Sequence, residues 1–407
     1  MSAPFQQYRS DTLYVTIVTS STGPVNKKIY LQDGKLCKDP NAQIYEGFAK
    51  TVPANTASDL RKLIENLRQE QAIALGSLEV PNKAFQLTTK ARLQPGSIAR
   101  SQDFLHHACS IGWLLIDLDT KGLPPLLKDM LEGRSMLDLV FEILPELLLS
   151  EILVRPSSSA GIINPDGLEQ EVTGLHIYVK VADQTQSQRL LKLMHDRCWE
   201  AGYGFFALAS NGTLLERSLV DTAVHGPERL VFEAKPNVLP PLIKRHIPDE
   251  VFSGGVLKCI KEPNYEQVYH LKNEARELIK PEAQKTKRRH VEDKAVNLMT
   301  ETGLSKAKAS KIVRQRLEGR EFSEHDILET GRNRFEKVSD FLDNAPRSVG
   351  MPCPIEGSDY GLSTAYFYPV DDHRPYPRII SFAHGNITEF TFERYRHLQG
   401  LVWLPRQ

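Results

Sequence analysis

The chain has 407 residues, of which 41% are hydrophobic and 25% charged, and its formal net charge is zero. This composition is ordinary for a soluble protein, and a chain of this length is expected to form two or three domains. The zero net charge excludes a globally basic nucleic-acid-binding surface, so any such surface must be local.

The five cysteines are scattered along the chain, odd in number and without a C-x-x-C pair. They argue against a disulfide framework and indicate a reducing cytoplasm. The N-terminus lacks an apolar signal region, and the most apolar stretch, residues 136–154, is interrupted by acidic residues and a proline. We therefore expect a cytoplasmic protein without a membrane span.

Taken in chain order, the first 260 residues predict strands that alternate with helices. Leu13–Val18 and Lys28–Leu31 alternate like two strands of a hairpin, and Ser58–Leu67 has helical apolar spacing. Further predicted elements are a strand ending at Asp119, helices over Leu126–Leu131 and Ser135–Leu144, strands over Ile152–Val154 and Leu175–Val181, and a helix from Asp183 to about Ala201. This rhythm favours an α/β (α+β) domain, a sheet covered by helices.

Two further segments follow this domain. Residues 261–345 are expected to be helical and basic, because 285–320 holds eleven Lys or Arg against four acids. Residues 346–407 are rich in Pro, Gly and aromatic residues and predict a small β-rich module with strands at Thr364–Tyr368, Arg378–Phe382 and Glu389–Phe392. We therefore expect three domains, 1–260, 261–345 and 346–407.

The most informative motif is the run Trp113-Leu114-Leu115-Ile116-Asp117-Leu118-Asp119. Residues two apart on a strand point the same way, so Asp117 and Asp119 present two carboxylates together. Two like charges this close favour a cation between them, and hard oxygen ligands select Mg²⁺ or Mn²⁺. The alternative interpretation of the pair alone is a solvated strand end.

Three later segments add polar groups to this pair. His176, Tyr178 and Lys180 share one face of a predicted strand, which we expect to line something polar. Ahead of them, a turn with three hydroxyls and free backbone amides suits phosphate oxygens; these hydroxyls belong to Ser157, Ser158 and Ser159. After them, Asp221 follows Val220 at a predicted strand end, and Arg229 comes close behind. Taken singly, each has a simpler interpretation. His176 would be a hydrogen-bonded surface residue and Lys180 a solvated lysine. The serine-rich turn would be a plain loop, and Arg229 would form a structural ion pair.

In this order the motifs resemble those of the archaeo-eukaryotic primase superfamily, the primase–polymerases of phages, plasmids and mobile elements. The three motifs correspond to Leu115–Asp119, Gly174-Leu175-His176 and Val220-Asp221, and the resemblance covers residues 100–240. One position departs from the family pattern, since Gly174 stands where Ser is usual. Two alternatives therefore remain for the groups that donate hydrogen bonds to phosphate: the hydroxyls of Ser157–Ser159 or backbone amides.

The resemblance implies a catalytic core with an RRM-like sheet that synthesises primers on a single-stranded DNA template from NTPs or dNTPs. Asp117, Asp119 and Asp221 would hold two Mg²⁺ or Mn²⁺ ions, and His176 would bind the incoming triphosphate. Lys180, Arg229 and the three serines would add phosphate contacts. No Gly-x-x-x-x-Gly-Lys-Ser/Thr motif is present, so a separate replicative helicase is implied.

The tail resembles the zinc ribbon of bacterial primases with its ligands eroded. Cys353 and His384 fall at plausible ligand positions, whereas Glu356 and Ser381 stand at the other two. Since zinc needs four Cys or His ligands, we expect a metal-free module.

The basic segment supplies the candidate DNA-binding residues. These are Lys287, Arg288, Arg289, Lys306, Lys308, Lys311 and Arg314. The alternative for them is a solvated helical face.

Two other functions stay open. A rolling-circle nuclease needs two histidines flanking one apolar residue, but His176 is followed by Ile177-Tyr178, and His106 and His107 are adjacent. The other is a non-catalytic DNA-binding replication factor.

Overall fold

The protein is a mixed α/β chain with several sheets. The computed structural model describes residues 12–39, 43–119, 122–167, 174–318, 320–332, 334–344, 347–358, 360–370, 375–383 and 387–398. The chain divides into two compact units, Met1–Phe205 with Glu216–Glu274, and Phe206–Leu215 with Ala275–Gln407. None of the helices in the described ranges combines the length and apolarity needed to cross a bilayer.

The described part of the first 260 residues contains short strands and four α-helices. The strands are β1 (Tyr14–Ser20), β2 (Lys28–Gln32), β3 (Lys35–Asp39), β4 (Gly47–Pro53), β5 (Gln71–Ala74), β6 (Ala84–Thr88), β7 (Ser97–Ala99), β8 (Gly112–Asp119), β9 (Ile152–Pro156), β10 (Ile162–Ile163), β11 (Gly174–Val181), β12 (Phe205–Leu208), β13 (Leu214–Arg217), β14 (Leu230–Val231), β15 (Asn237–Val238), β16 (Ile243–Lys244) and β17 (Glu250–Phe252). The helices are α1 (Ala57–Glu65), α2 (Pro125–Leu131), α3 (Met136–Ile143) and α4 (Ser187–Glu200).

Two sheets carry the architecture of the first unit. One has six strands in the order β14-β5-β1-β4-β6-β7, and the other has four in the order β17-β9-β11-β8. The predicted strands at 113–119, 152–154 and 175–181 are therefore confirmed, and they lie in one antiparallel sheet. The helices predicted near 58–67, 126–131, 135–144 and up to 201 are confirmed within a few residues.

The predicted hairpin between β1 and β2 is wrong. β1 pairs with β4 and β5, whereas β2 pairs with β3 through a tight turn at Asp33 and Gly34. Both turn residues have positive φ, 51° and 72°, as a type I′ hairpin requires. This local Asp-Gly signal joins β2 to the segment that follows it rather than to β1.

A single apolar cluster joins the two sheets and α1. Trp113 and Leu115 of β8 and Tyr178 of β11 pack with Leu60 of α1 and Ile73 of β5. The helix begins with a capping box, in which Thr56 and Asp59 exchange hydrogen bonds between side chain and backbone. Burying each such side chain contributes roughly 1.5–3 kcal/mol.

Both faces of β8 are buried for most of its length. Ile116 and Leu118 are buried as predicted, but Trp113 and Leu115 on the opposite face are buried as well. The expectation of a polar face on β11 is therefore wrong at Tyr178, which is fully buried. The physical reason is that α1 and the six-stranded sheet cover this face until it reaches Asp117 and His176.

The second unit is helical at first and then β-rich. Its elements are α5 (Tyr265–Thr302, which begins in the first unit), α6 (Lys306–Glu318), β18 (Glu321–Phe322), β19 (Ile327–Gly331), β20 (Arg334–Lys337), α7 (Val338–Asn344), β21 (Val349–Met351), β22 (Ala365–Tyr368), β23 (Arg378–Ser381) and β24 (Thr388–Phe392). The last three strands confirm the predicted ones. They belong to a five-stranded sheet with order β18-β24-β23-β22-β21, whose core includes Phe322, Phe367 and Phe390.

Candidate active site

Three neighbouring strands place three charged or titratable side chains in one row. His176 on β11 lies directly opposite Asp117 on β8 and Arg155 on β9. Residues opposite each other in adjacent strands project to the same face, so the three side chains are neighbours. The distance from His176 Nε2 to Asp117 Oδ1 is 3.6 Å. Two residues of separate sequence motifs, 59 positions apart in numbering, are thus brought together.

The backbone of Asp221 lies next to that of Asp117. Val220 forms an isolated bridge with Leu118, and the N–H of Asp221 donates to the carbonyl oxygen of Asp117 at 3.0 Å. The sequence predicted that Asp221 ends a strand, and this prediction is wrong. It caps the short 3-10 turn Thr222–His225, where its Oδ1 accepts the N–H of Ala223 at 2.9 Å.

The third acidic position, Asp119, is the last residue of β8 and pairs in register with Gly174. The structure describes only its backbone. The strand therefore positions Asp119 two residues beyond Asp117, at the end where β11 begins.

Asp117 and His176 open onto a cleft of about 440 Å³. It is lined by Lys27, Gln43, Arg100, Leu115, Asp117, Ser157, Ser158, His176, Val224, Arg229, Leu230, Val231 and Phe232. The predicted residues Ser157, Ser158 and Arg229 therefore share this cleft with Asp117 and His176. Two of its cations, Lys27 and Arg100, were not among the predicted nucleotide ligands, since nothing in their local sequence marks them as such.

The turn after β9 places a hydroxyl next to Gly174. The N–H of Ser157 donates to the carbonyl oxygen of Gly174 at 2.9 Å. A Cβ built on Gly174 would lie 3.7 Å from Ser157 Oγ and 3.1 Å from the carbonyl oxygen of Leu118. The Ser157 side chain thus lies beside the position where the family pattern has its serine.

The residue that sequence reasoning missed most clearly is Glu233. Its Oε1 lies 2.6 Å from His176 Nδ1 and accepts the hydroxyl of Tyr178 at 2.6 Å. Its side chain is only 2% exposed. Pairing of β14 with β5 brings the Leu230–Glu233 segment here. The available signal was the spacing of Arg229, Val231 and Glu233, which puts all three on one face of an extended segment.

Arg155 completes the network around Glu233. Its Nε lies 3.4 Å from Glu233 Oε2, and its guanidinium also pairs with Asp249. Burial by itself raises the pKa of the Glu233 carboxyl, but the neighbouring His176, Arg155 and Tyr178 lower it to about 2. Glu233 is therefore ionised in the folded protein.

The same network acts on His176. Burial by itself lowers the pKa of the imidazole, but Glu233 and Asp117 outweigh this and raise the pKa above its ordinary value. An ionised Glu233 next to Nδ1 requires a proton on Nδ1, which directs Nε2 toward Asp117. Burial and Glu233 hold the pKa of Tyr178 well above its ordinary value, so its hydroxyl stays a donor.

Two predicted phosphate ligands do not line the cleft. Lys180 Nζ lies 2.8 Å from Glu151 Oε2 and donates to the carbonyl oxygen of Asn55 at 2.9 Å. Four residues of extended strand, about 13 Å, separate Lys180 from His176. Ser159 follows Ser158 in the turn but is not among the lining residues.

A second group of potential metal ligands lies in the first unit and consists of His195, Asp196 and Glu216. Lys272 Nζ lies 2.8 Å from Asp196 Oδ1 and 2.7 Å from Glu216 Oε1. The His195 hydrogen bond, opposed by burial and aided by Lys272, lowers the pKa of Glu216 to about 2. Lys192 Nζ also lies 2.8 Å from Asp196 Oδ1, so two ammonium groups offset the two carboxylates and the group is an ion-pair network.

The residues proposed from the tail as eroded zinc ligands have other partners. The carboxylate of Glu356 accepts the hydroxyl of Ser210 at 3.1 Å, and Ser381 Oγ accepts the N–H of Ala383 at 3.3 Å. Cys353 is buried, whereas His384 lies outside the described residues.

The candidate DNA-binding residues lie on α5 and α6. Arg288 and Arg289 on α5 are exposed, and Lys287 is half-buried. On α6, Lys306, Lys308, Lys311 and Arg314 are all exposed.

Comparison with known proteins gives no family model, no curated protein and no solved structure that matches this chain.

Proposed function

We propose that the chain is a DNA-dependent primase–polymerase that extends nucleotides on a single-stranded DNA template. The observation that carries the proposal is the cleft where Asp117 and His176 face each other, with the backbone of Asp221 hydrogen-bonded to that of Asp117. Three cations, Lys27, Arg100 and Arg229, line the same cleft. In this proposal, β8, β9 and β11 belong to the RRM-like sheet of a primase–polymerase core.

The donor set suits hard divalent cations. The backbones of Asp117 and Asp221 are joined by a hydrogen bond, so their carboxylates belong to neighbouring residues, and Asp119 lies two residues along the same strand as Asp117. Mg²⁺ and Mn²⁺ prefer such oxygen ligands. Two such ions, when bound, would activate the attacking 3′-hydroxyl and neutralise charge at the α-phosphate.

The other residues of the cleft bind and orient the triphosphate. Nucleotidyl transfer asks little covalent chemistry of a protein, so positioning and charge neutralisation dominate. Lys27, Arg100 and Arg229 offset the negative charge of the phosphates, and Ser157 donates its hydroxyl. His176 donates from Nε2 when protonated, which Glu233 favours by raising its pKa.

Incorporation of labelled nucleotides on a single-stranded template tests the proposal. We expect product with Mg²⁺ or Mn²⁺, none with EDTA, and none with Asp117→Asn. Both NTPs and dNTPs should be supplied, and duplex unwinding is assigned to a separate helicase.

The same assay separates the two alternatives. Template binding without incorporation would identify a non-catalytic replication factor. Cleavage of the template with a covalent protein–DNA product would identify a rolling-circle nuclease. Either outcome would overturn the primase–polymerase proposal.

A further inference from the structure

Two helices in the second unit are joined by a very short turn. α5 ends at Thr302 and α6 begins at Lys306. Gly303 has φ +68° and donates its N–H to Met299, which closes α5. Ser305 accepts the N–H of Ala309 and starts α6. A helix, a three-residue turn containing glycine and a second helix form a helix-turn-helix arrangement.

A small apolar cluster fixes one face of α6. Ala309 and Ile312 pack with Ala295 and Leu298 of α5. The β19–β20 hairpin follows α6 in the chain and adds Phe335 to the same cluster. The opposite face of α6 is therefore held outward by both the preceding helix and the following hairpin.

That outward face is basic, and no described acidic side chain forms an ion pair with its cations. Lys308, Lys311 and Arg314 are exposed and follow one another at three-residue spacing, so they lie along one side of the helix. Lys306 is exposed at the first position of the helix. None of these four cations forms an ion pair with any carboxylate in the described part of the chain.

The neighbouring part of α5 behaves differently. Lys280 lies 2.9 Å from Glu277, and Lys285 lies 3.9 Å from Glu282. Acids thus lie beside these two cations of α5, whereas α6 has no acidic side chain among those described.

We propose that α6, together with the β19–β20 hairpin, binds duplex DNA with its basic face in the major groove. An α-helix fits this groove, which is about 12 Å wide. The second helix of a helix-turn-helix is the element that enters it. Lys308 and Arg314 are six residues apart, about 9 Å along the helix axis, so the three side chains can reach successive phosphates and base edges.

The composition of α6 favours duplex over single-stranded DNA. Proteins that bind single strands stack bases on aromatic side chains. α6 contains no aromatic residue on any face. Charge alone would allow α6 to contact either form of DNA, and the lack of aromatic residues favours the duplex. Duplex binding by α6 does not depend on the proposed catalysis, because it involves none of the cleft residues.

Fluorescence anisotropy with the full-length chain tests the proposal. The probes are a labelled 24-base-pair duplex and a single strand of the same length, titrated between 50 and 300 mM salt. Lys308→Ala, Lys311→Ala and Arg314→Ala are combined in one variant. We expect duplex affinity to fall roughly 10- to 100-fold at 100 mM salt. The salt slope should flatten by about 0.9 for each phosphate that the variant no longer neutralises.

The matched control removes three exposed lysines of the first unit, Lys62, Lys83 and Lys258, which do not line the cleft of Asp117 and His176. It carries the same change of charge and should leave duplex affinity within about twofold. Circular dichroism should show unchanged melting for both variants, because the substituted side chains are exposed.

Two results would overturn the proposal. One is duplex binding that the α6 variant leaves unchanged. The other is tighter binding of the single strand, with a salt slope that flattens in the variant by about 0.7 per phosphate, which would make α6 a template track. Failure of nucleotide incorporation would leave these binding results unaffected, so the two proposals fail separately.

Discussion

The Oε1 atom of Glu233 lies 2.6 Å from Nδ1 of His176, and the carboxylate that makes this contact is buried. Glu233 is bound in turn by Tyr178 and Arg155, so its own position is fixed from three sides. A ring held at Nδ1 presents Nε2 in one direction, here toward Asp117. Glu233 is thus a positioning residue for His176.

The pH dependence of nucleotide binding should report this contact. Glu233→Gln removes the negative charge that raises the pKa of His176, so that pKa should fall. If protonated His176 binds the triphosphate, the basic limb of the kcat/KM profile should move to lower pH by the same amount. Tyr178→Phe keeps the charge and should shift the limb much less. An unmoved limb would remove His176 from triphosphate binding.

Stability should follow the same pair. The pKa of Glu233 falls from 4.5 to about 2 on folding, so its contribution is present above pH 4.5 and is lost toward pH 2. The pKa of His176 is raised above 6.5, so its contribution is complete below pH 6.5 and is lost as pH rises through the higher value. The pair therefore stabilises most between pH 4.5 and 6.5.

Urea unfolding of the wild type and Glu233→Ala at several pH values measures this difference. Removing one partner of a buried pair costs about 3 kcal/mol. We expect the difference in free energy of unfolding to be largest in that window and smaller at pH 9. A difference independent of pH would indicate weaker packing instead.

The three carboxylates should act as one unit. Asp117→Asn, Asp119→Asn and Asp221→Asn should each lower incorporation by roughly 10³-fold or more. Any double variant should be little worse than a single one, because one substitution already destroys the shared site. Calorimetric titration with Mn²⁺ should show that binding is abolished while thermal melting is retained. A double variant whose activity falls by the product of the two single effects would argue against a shared metal site.

The cations of the cleft should act on nucleotide affinity. A hydrogen bond to a charged group contributes about 1.5–3 kcal/mol, so Lys27→Ala and Arg229→Ala should each raise the nucleotide KM roughly 10- to 100-fold. The maximal rate should change less. Lys180→Ala is the matched control, since Lys180 is paired with Glu151 away from the cleft. An equal effect of Lys180→Ala would assign the changes to stability.

Ser157 and Gly174 should compensate for each other. Ser157→Ala should raise the nucleotide KM roughly tenfold, because it removes one hydrogen bond to phosphate. Adding Gly174→Ser supplies a hydroxyl from the adjacent position, so the double variant should recover part of the affinity. The contact of 3.1 Å between its Cβ and the Leu118 carbonyl requires a small adjustment. No recovery in a stably folded double variant would contradict a shared role.

Most of the elements that local patterns predicted are present, whereas many short strands, such as β3 to β7, were not predicted. The helix α1 and the strands β8 and β11 follow from apolar spacing, which reports directly on helix and strand periodicity. The pairing of β1 was predicted wrongly, because a partner strand is chosen by contacts between distant segments. The pairing of β2 with β3 could have been predicted from the local sequence, since Asp33-Gly34 is a strong short-range turn signal.

Sequence patterns alone identified the residues proposed to carry the chemistry, namely Asp117, Asp221 and His176, each next to apolar strand-like residues. The partners of these residues depend on contacts between distant segments of the chain. Glu233 lies 57 residues from His176 in the chain and reaches it because β14 pairs with β5. Lys180, which was predicted to contact phosphate, forms an ion pair with Glu151 instead. Periodicity fixes the face on which a side chain lies, but the packing of sheets against each other decides which opposite charge that face meets.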